Sequence, residues 1–141
     1  MPNTNKKKTA AQEAMPDAQH LIDCIETYFA STDNFDVQAT LGTMTPDCML
    51  EYLTDNRRYE GRDEGIKEYF EERAVMLASA WHGNFSHVAD PVRGRVASRF
   101  DVRRREKDGE MVVRDNINLF QFESRLIRRI SVWRSVAKAA D

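Results

Sequence analysis

The spacing of hydrophobic residues changes once along this chain, and that change limits what it can fold into. Before Trp81 apolar side chains recur mostly at helical steps; from Trp81 to Ser135 they alternate, as in strands with one buried face. The alternating part divides into candidate strands at 81–89, 92–105, 110–122 and 126–135, each rich in Val, Ile, Phe or Trp. In the first part, Leu21, Ile22, Ile25, Tyr28 and Phe29 mark a helix that starts at Pro16-Asp17 and breaks at Ser31-Thr32-Asp33-Asn34. A short second helix is expected over Asp36–Thr43, with Val37, Thr40 and Leu41 inward and Thr45-Pro46-Asp47 ending it. Cys48 to Leu53 reads as a strand and residues 54–58 as a loop. Gly61-Arg62-Asp63 then opens a third helix with the stripe Ile66, Tyr69, Phe70, Ala74 and Leu77. Three helices, one early strand and an antiparallel meander predict an α+β domain, a curved sheet wrapped against helices.

A chain of 141 residues, 41% hydrophobic, suits one such domain, expected over residues 15–136. Residues 1–14 read as a disordered tail, because Lys6-Lys7-Lys8 is followed by no apolar core of a secretory signal, and 137–141 as a short C-terminal tail. The 21 basic and 23 acidic residues leave a net charge of -2, so no global pull toward nucleic acid or an anionic membrane is expected. No stretch approaches the roughly 20 apolar residues of a membrane span. Cys24 and Cys48 fall in core patterns, which suggests a reducing, cytoplasmic setting. No His, Cys and carboxylate cluster has ligand spacing, and Gly61, Gly65, Gly83 and Gly94 form no phosphate loop, so neither a metal nor a cofactor is expected. Arg103-Arg104-Arg105 lacks interleaved aromatics and reads as a solvated strand end rather than a nucleic-acid patch.

Asp108-Gly109 is a two-residue hairpin signal. A turn there sets Lys107 against Glu110, Arg103 against Arg114, Asp101 against Asn116 and Arg99 against Asn118, all on one face. Ser98, Phe100, Val102, Val113, Ile117 and Leu119 take the other. The polar face is either a solvated exterior or the lining of a pocket. Phe120 and Phe122 continue the phase of Asn116 and Asn118, which favours a lining.

The order of elements, Glu60-Gly61-Arg62-Asp63 leading into Ile66 and Phe70, and Asn118-Leu119-Phe120-Gln121-Phe122 together resemble the nuclear transport factor two-like, or SnoaL-like, superfamily. The resemblance covers nearly the whole chain after the tail. It implies a cone, with a pocket between the concave sheet face and the first helices, and dimers formed through the convex face. Scytalone dehydratases in this superfamily are similar at Tyr52, His82 and Asn118, while their late-helix tyrosine and aspartate fall at Ala30 and Ser31. Limonene epoxide hydrolases are similar at Arg99-Phe100-Asp101-Val102, but their second aspartate falls at Val132, and their tyrosine and asparagine at Leu50 and Tyr52. The aspartates of ketosteroid isomerases fall at Tyr52 and Asn118.

The resemblance implies a catalytic group of Asp101, His82, Tyr52 and Asn118, with Arg99, Asn116, Arg103, Phe120 and Tyr28 binding substrate. Asp101 or His82 would remove a proton next to a carbonyl while Asn118 and Tyr52 hold its oxygen. His20 and His87 read as surface residues. The implied function is a cofactor-free lyase or isomerase, namely a dehydratase, isomerase or cyclase of a small hydroxy-carbonyl or apolar molecule. The alternatives are an epoxide hydrolase and a non-catalytic ligand-binding or scaffold domain. A homodimer is expected through an outward patch of Phe100, Val102, Ile117, Leu119 and Ile130.

Overall fold

The computed structural model describes residues 16–139; the expected tail at 1–14 and residues 140–141 lie outside them. Helix α1 spans Ala18–Asp33, its first turn capped by the Asp17 carboxylate, which accepts from the His20 backbone N–H at 2.9 Å. Helix α2 is short, Val37–Leu41, and is capped the same way by Asp36. Strand β1 (Met44–Tyr52) and a tight turn at Leu53–Asp55 lead into β2 (Arg57–Glu60). A wide, kinked turn at Gly61–Ile66 precedes α3 (Lys67–Met76). Then come β3 (Leu77–Asp90), β4 (Arg95–Glu106), β5 (Met111–Glu123), β6 (Leu126–Arg134) and β7 (Lys138–Ala139). Among the described residues no helix is long and apolar enough to cross a membrane.

The strands form one curved sheet in the order β2-β1-β6-β5-β4-β3, with β7 added to β5. All neighbours are antiparallel except β1 and β6, which run parallel. Lys138 and Ala139, expected in a tail, pair with Val113 and Val112. Strand β1 begins four residues before Cys48. Pro46 is accommodated there because the register shifts between Met44 and Met49, leaving the proline exposed where no ladder N–H is required. Strand β2 starts inside the expected loop and carries Arg57 and Arg58 on a sheet edge, where charge is the usual protection against stray pairing. The regular third helix starts at Lys67 rather than Gly61. Gly61 has φ +86° and Glu64 leaves helical geometry, and a Cβ on Gly65 would sit 2.9 Å from the Glu60 carbonyl oxygen.

The β4–β5 hairpin differs from expectation in a way that reassigns the site. Its last paired residues are Arg105 and Met111, so residues 106–110 make the connection instead of Asp108-Gly109 alone. Changing the loop from an even to an odd length moves the register by one residue, which turns one strand over relative to the other. Asp101 faces Asp115, Arg99 faces Ile117, Phe100 faces Asn116 and Ser98 faces Asn118. The expected phase holds for β5 and is inverted for β4. Phe100 and Val102 therefore turn inward, 2% and 5% exposed, and Ile130 is fully buried. Three residues of the expected outward patch thus belong to the core, leaving Ile117 and Leu119 outward, with Trp81 and Trp133 in the same phase. The core lies between α1 and the concave face, where the Phe29 ring meets Phe100 at 4.7 Å and Phe120 at 5.8 Å. A Phe29→Ala change there would cost about 3–5 kcal/mol.

Candidate active site

Sheet register decides which side chains meet inside the cone. On one continuous face, His82 of β3 lies opposite Val102 of β4, which lies opposite Arg114 of β5. Two residues along β5, Asn116 opposes Arg134 of β6, and Asn118 opposes Val132, which neighbours Tyr52 of β1. Tyr28 and Phe29 of α1 and Tyr69 and Arg73 of α3 cover this floor. Together they enclose an inner chamber of about 40 Å³, room for one functional group rather than a ring. It adjoins an outer chamber of about 250 Å³ that shares Tyr52, Tyr69, Arg73, Arg104 and Arg134 and has Asp55, Glu72 and Glu106 in its wall.

The most organised chemistry is at His82. Its Nδ1 lies 2.5 Å from Asp33 Oδ1, and its backbone N–H donates to Asp33 Oδ2 at 2.9 Å. Both side chains are nearly enclosed, 11% and 18% exposed. Burial is the largest influence on the imidazole and holds its pKa below the ordinary histidine value; Asp33 pulls the other way, and Arg73 and Arg104 add to the lowering. The neutral ring has one N–H, and Asp33 fixes it on Nδ1. Nε2, which has no hydrogen-bond partner among the described residues, is then the basic nitrogen.

Hydrogen-bonding groups surround it. The hydroxyls of Tyr52 and Tyr69 are 2.7 Å apart. Burial, then Tyr69, pushes the Tyr52 hydroxyl well above the usual phenol range, so it stays a donor. The side-chain carbonyl oxygens of Asn116 and Asn118 are buried and have no partner among the described residues. Such groups are costly to leave unmet, which marks them as places for a ligand to bond. Among the described residues no group of three or more His, Cys, Asp or Glu side chains is placed to hold a metal. Cys24 and Cys48 are free thiols that burial pushes up to about 11 and about 12, which makes them poor nucleophiles.

Of the residues expected in the site, His82, Tyr52, Asn118, Asn116 and Tyr28 meet in the chamber. Asp101, Arg99 and Arg103 do not, because the hairpin register sends them to the convex face. There Asp101 accepts from the Asn84 amide at 2.9 Å and Arg99 grips Asp115 with two hydrogen bonds. Phe120 faces inward yet lies beneath Tyr28 as core, fully buried and off the chamber wall. His87, expected at the surface, is 10% exposed and bonds Ser98 Oγ at 2.7 Å. Sequence reasoning missed Asp33, read there only as part of a helix break. A carboxylate ending a helix opposes the helix dipole, and that conflict was the available sign that it serves a partner. It also missed Tyr69, Arg73, Arg104, Arg114 and Arg134, which line the chamber.

No family model matches the chain, and no curated protein matches it. Solved structures do. A candidate polyketide cyclase from Xanthomonas campestris pv. campestris superposes with a TM-score of 0.72 at 15% identity, over 82% of this chain and 90% of that one. AusH from Aspergillus nidulans gives 0.72 at 14% identity, over 85% and 86%. The BvnE pinacolase from Penicillium brevicompactum gives 0.72 at 11%, over 84% of each chain. The fold is SnoaL-like. At these identities the likeness is one of fold, so the chemistry of the SnoaL-like cone in this chain has to be argued from its own side chains.

Proposed function

We propose that the chain is a cofactor-free acid–base enzyme, a lyase, isomerase or cyclase of a small hydroxy-carbonyl compound. The observation that carries this is the Asp33–His82 pair at the wall of a chamber that also holds the Tyr52 hydroxyl and the side-chain oxygens of Asn116 and Asn118, which have no partner among the described residues. In this reading His82 Nε2 removes a proton next to the substrate carbonyl. Its electron pair moves onto the carbonyl oxygen, where the Tyr52 hydroxyl donates to the growing charge, while the Asn116 and Asn118 side-chain oxygens accept from the substrate hydroxyl. Asp33 holds the ring and stabilises the imidazolium, which then returns the proton to carbon for isomerisation or to a departing hydroxyl for dehydration. The carbonyl itself takes up the electrons, so the reaction calls for no other electron sink. Pinacolase and cyclase names among proteins of the same fold support a rearrangement or elimination of this kind. Epoxide hydrolysis rested on Arg99 and Asp101, and both lie on the outer face.

Exchange in D2O tests the proposal. A panel of hydroxy-ketones and keto-acids incubated with the full chain should lose α-protons by NMR. The rate should fall about 10²–10⁴-fold in His82→Gln and stay within about twofold in Asp101→Asn. Exchange that survives in His82→Gln and vanishes in Asp101→Asn would overturn it, and no exchange across the panel would leave a binding domain without turnover.

A further inference from the structure

The charge of the chamber goes beyond the proposed acid–base chemistry and, resting on that reading of the site, bears on its substrate class. The chain as a whole has a net charge of -2, yet Arg73, Arg104, Arg114 and Arg134 all line the inner chamber and, among the described residues, no Asp or Glu does. Arg104, Arg114 and Arg134 come from three neighbouring strands in a diagonal row, since Arg104 opposes Val112, Arg114 opposes Val102 and Arg134 opposes Asn116. Among the described residues only Arg134 of the four pairs with a carboxylate, Asp55 at 2.5 Å. Arg114 donates to the Ser135 carbonyl at 2.6 Å. Nε and Nη2 of Arg73 and Nε of Arg114 and Arg134 are buried with no partner among the described residues.

Guanidinium groups stay protonated, so several positive charges share one enclosed space. Burial and the neighbouring arginines oppose the charged forms of Arg104 and Arg114, so the like charges of the cluster repel one another. Asp55 pairs with Arg134, and Glu72 and Glu106 stand in the adjoining outer chamber, yet among the described residues no carboxylate reaches Arg73, Arg104 or Arg114, which leaves these three able to take a ligand's counter-charge. Planar aromatic walls, Tyr28, Phe29 and Phe100, and a volume of about 40 Å³ suit a flat group better than a tetrahedral one. We propose that the substrate is an anion, a hydroxy-carbonyl compound carrying a carboxylate, gripped by Arg104, Arg114 and Arg73 while Asn116 and Asn118 accept from its hydroxyl. The same cations then stabilise the second negative charge that forms when His82 takes the α-proton.

Thermal unfolding of the full chain, at one ionic strength made up with chloride, acetate, malonate or phosphate, tests this. Malonate and acetate should raise Tm saturably over chloride, by roughly 5–10 °C at about 100 times the Kd. Titration of wild-type protein against [13C]malonate by NMR gives that Kd without any variant. Arg104→Gln combined with Arg114→Gln should fold, lose none of the starting Tm and weaken malonate at least 10-fold. Arg104→Lys should weaken it less, and His82→Gln should leave it unchanged. Because His82 is not needed for this binding, failure here would leave the acid–base reading standing, and loss of α-proton exchange would leave this one standing. The inference is overturned if carboxylates act no differently from chloride, if binding survives in the double variant, or if phosphate binds more tightly than malonate.

Discussion

Replacing Asp33 separates a structural helix end from a positioned base, and the structure sets the size of the effect. Its two carboxylate oxygens serve two nearly buried donors of one residue, the His82 ring nitrogen Nδ1 and the His82 backbone N–H. Asp33→Ala strands both, at about 1–3 kcal/mol each. Removing a negative charge from the C-terminal end of α1 returns about 0.3–1 kcal/mol. The net loss is then about 1–6 kcal/mol, and a mid-range loss of about 3 kcal/mol corresponds to roughly 6–12 °C in Tm for a domain of this size. Asp33→Asn behaves differently, because its amide oxygen can still accept from the backbone while its NH2 group donates to Nδ1. That forces the ring proton onto Nε2, so stability should drop by only about 1 kcal/mol while α-proton exchange falls about as far as in Asp33→Ala. Differential scanning calorimetry beside the exchange assay measures both. An Asp33→Ala protein within about 0.5 kcal/mol of wild type, or an Asp33→Asn protein with full exchange, would refute the reasoning.

Three further outcomes follow from the same geometry. An imidazole whose folded pKa lies below its unfolded value protonates more readily in the unfolded chain. His82 should therefore lend its full stability above about pH 6.5 and lose it as pH falls toward the folded value, a slope that urea titrations should find reduced in His82→Gln. On the convex side, Glu51 is 7% exposed and bonds Arg129 and Ser131. Burial pushes its pKa up, but Ser131 and Arg129 outweigh that and hold it low, so its stabilisation is present above about pH 4.3 and lost as acid passes the folded value. Glu51→Ala should cost about 1–3 kcal/mol, tempered by Arg129 remaining partly in water. Gly65→Ala should cost about 1–3 kcal/mol by chemical denaturation, because its Cβ meets backbone at Glu60 rather than a movable side chain.

The sequence carried the fold further than the site. The stripe on α1 and the Asn116, Asn118, Phe120 phase of β5 followed from local pattern and survive in the structure, and the change of period does too, though it falls at Leu77, expected as the last residue of the helical stripe, rather than at Trp81. Which face of β4 accompanies that phase depended on the number of loop residues at Asp108-Gly109, a single integer that local propensity does not fix. One residue of slip exchanged Asp101 for Phe100 at the chamber wall. The chamber arginines were hidden for a different reason. Arg104 and Arg134 sit near strand ends, where charged side chains normally reach water, and only the closure of the cone under α3 encloses them. Asp33 and His82 are 49 residues apart, and nothing local joins a helix end to a distant strand.

The state of His82 tests the central claim most directly. Long-range 1H–15N correlation of the uniformly labelled protein at pH 7 distinguishes imidazolium from each neutral tautomer. A neutral ring with its proton on Nδ1 and an unprotonated Nε2, titrating below the ordinary histidine value, is the predicted result. A fully protonated ring at pH 7, or a proton resident on Nε2, would contradict the account, because the chamber would then hold no base.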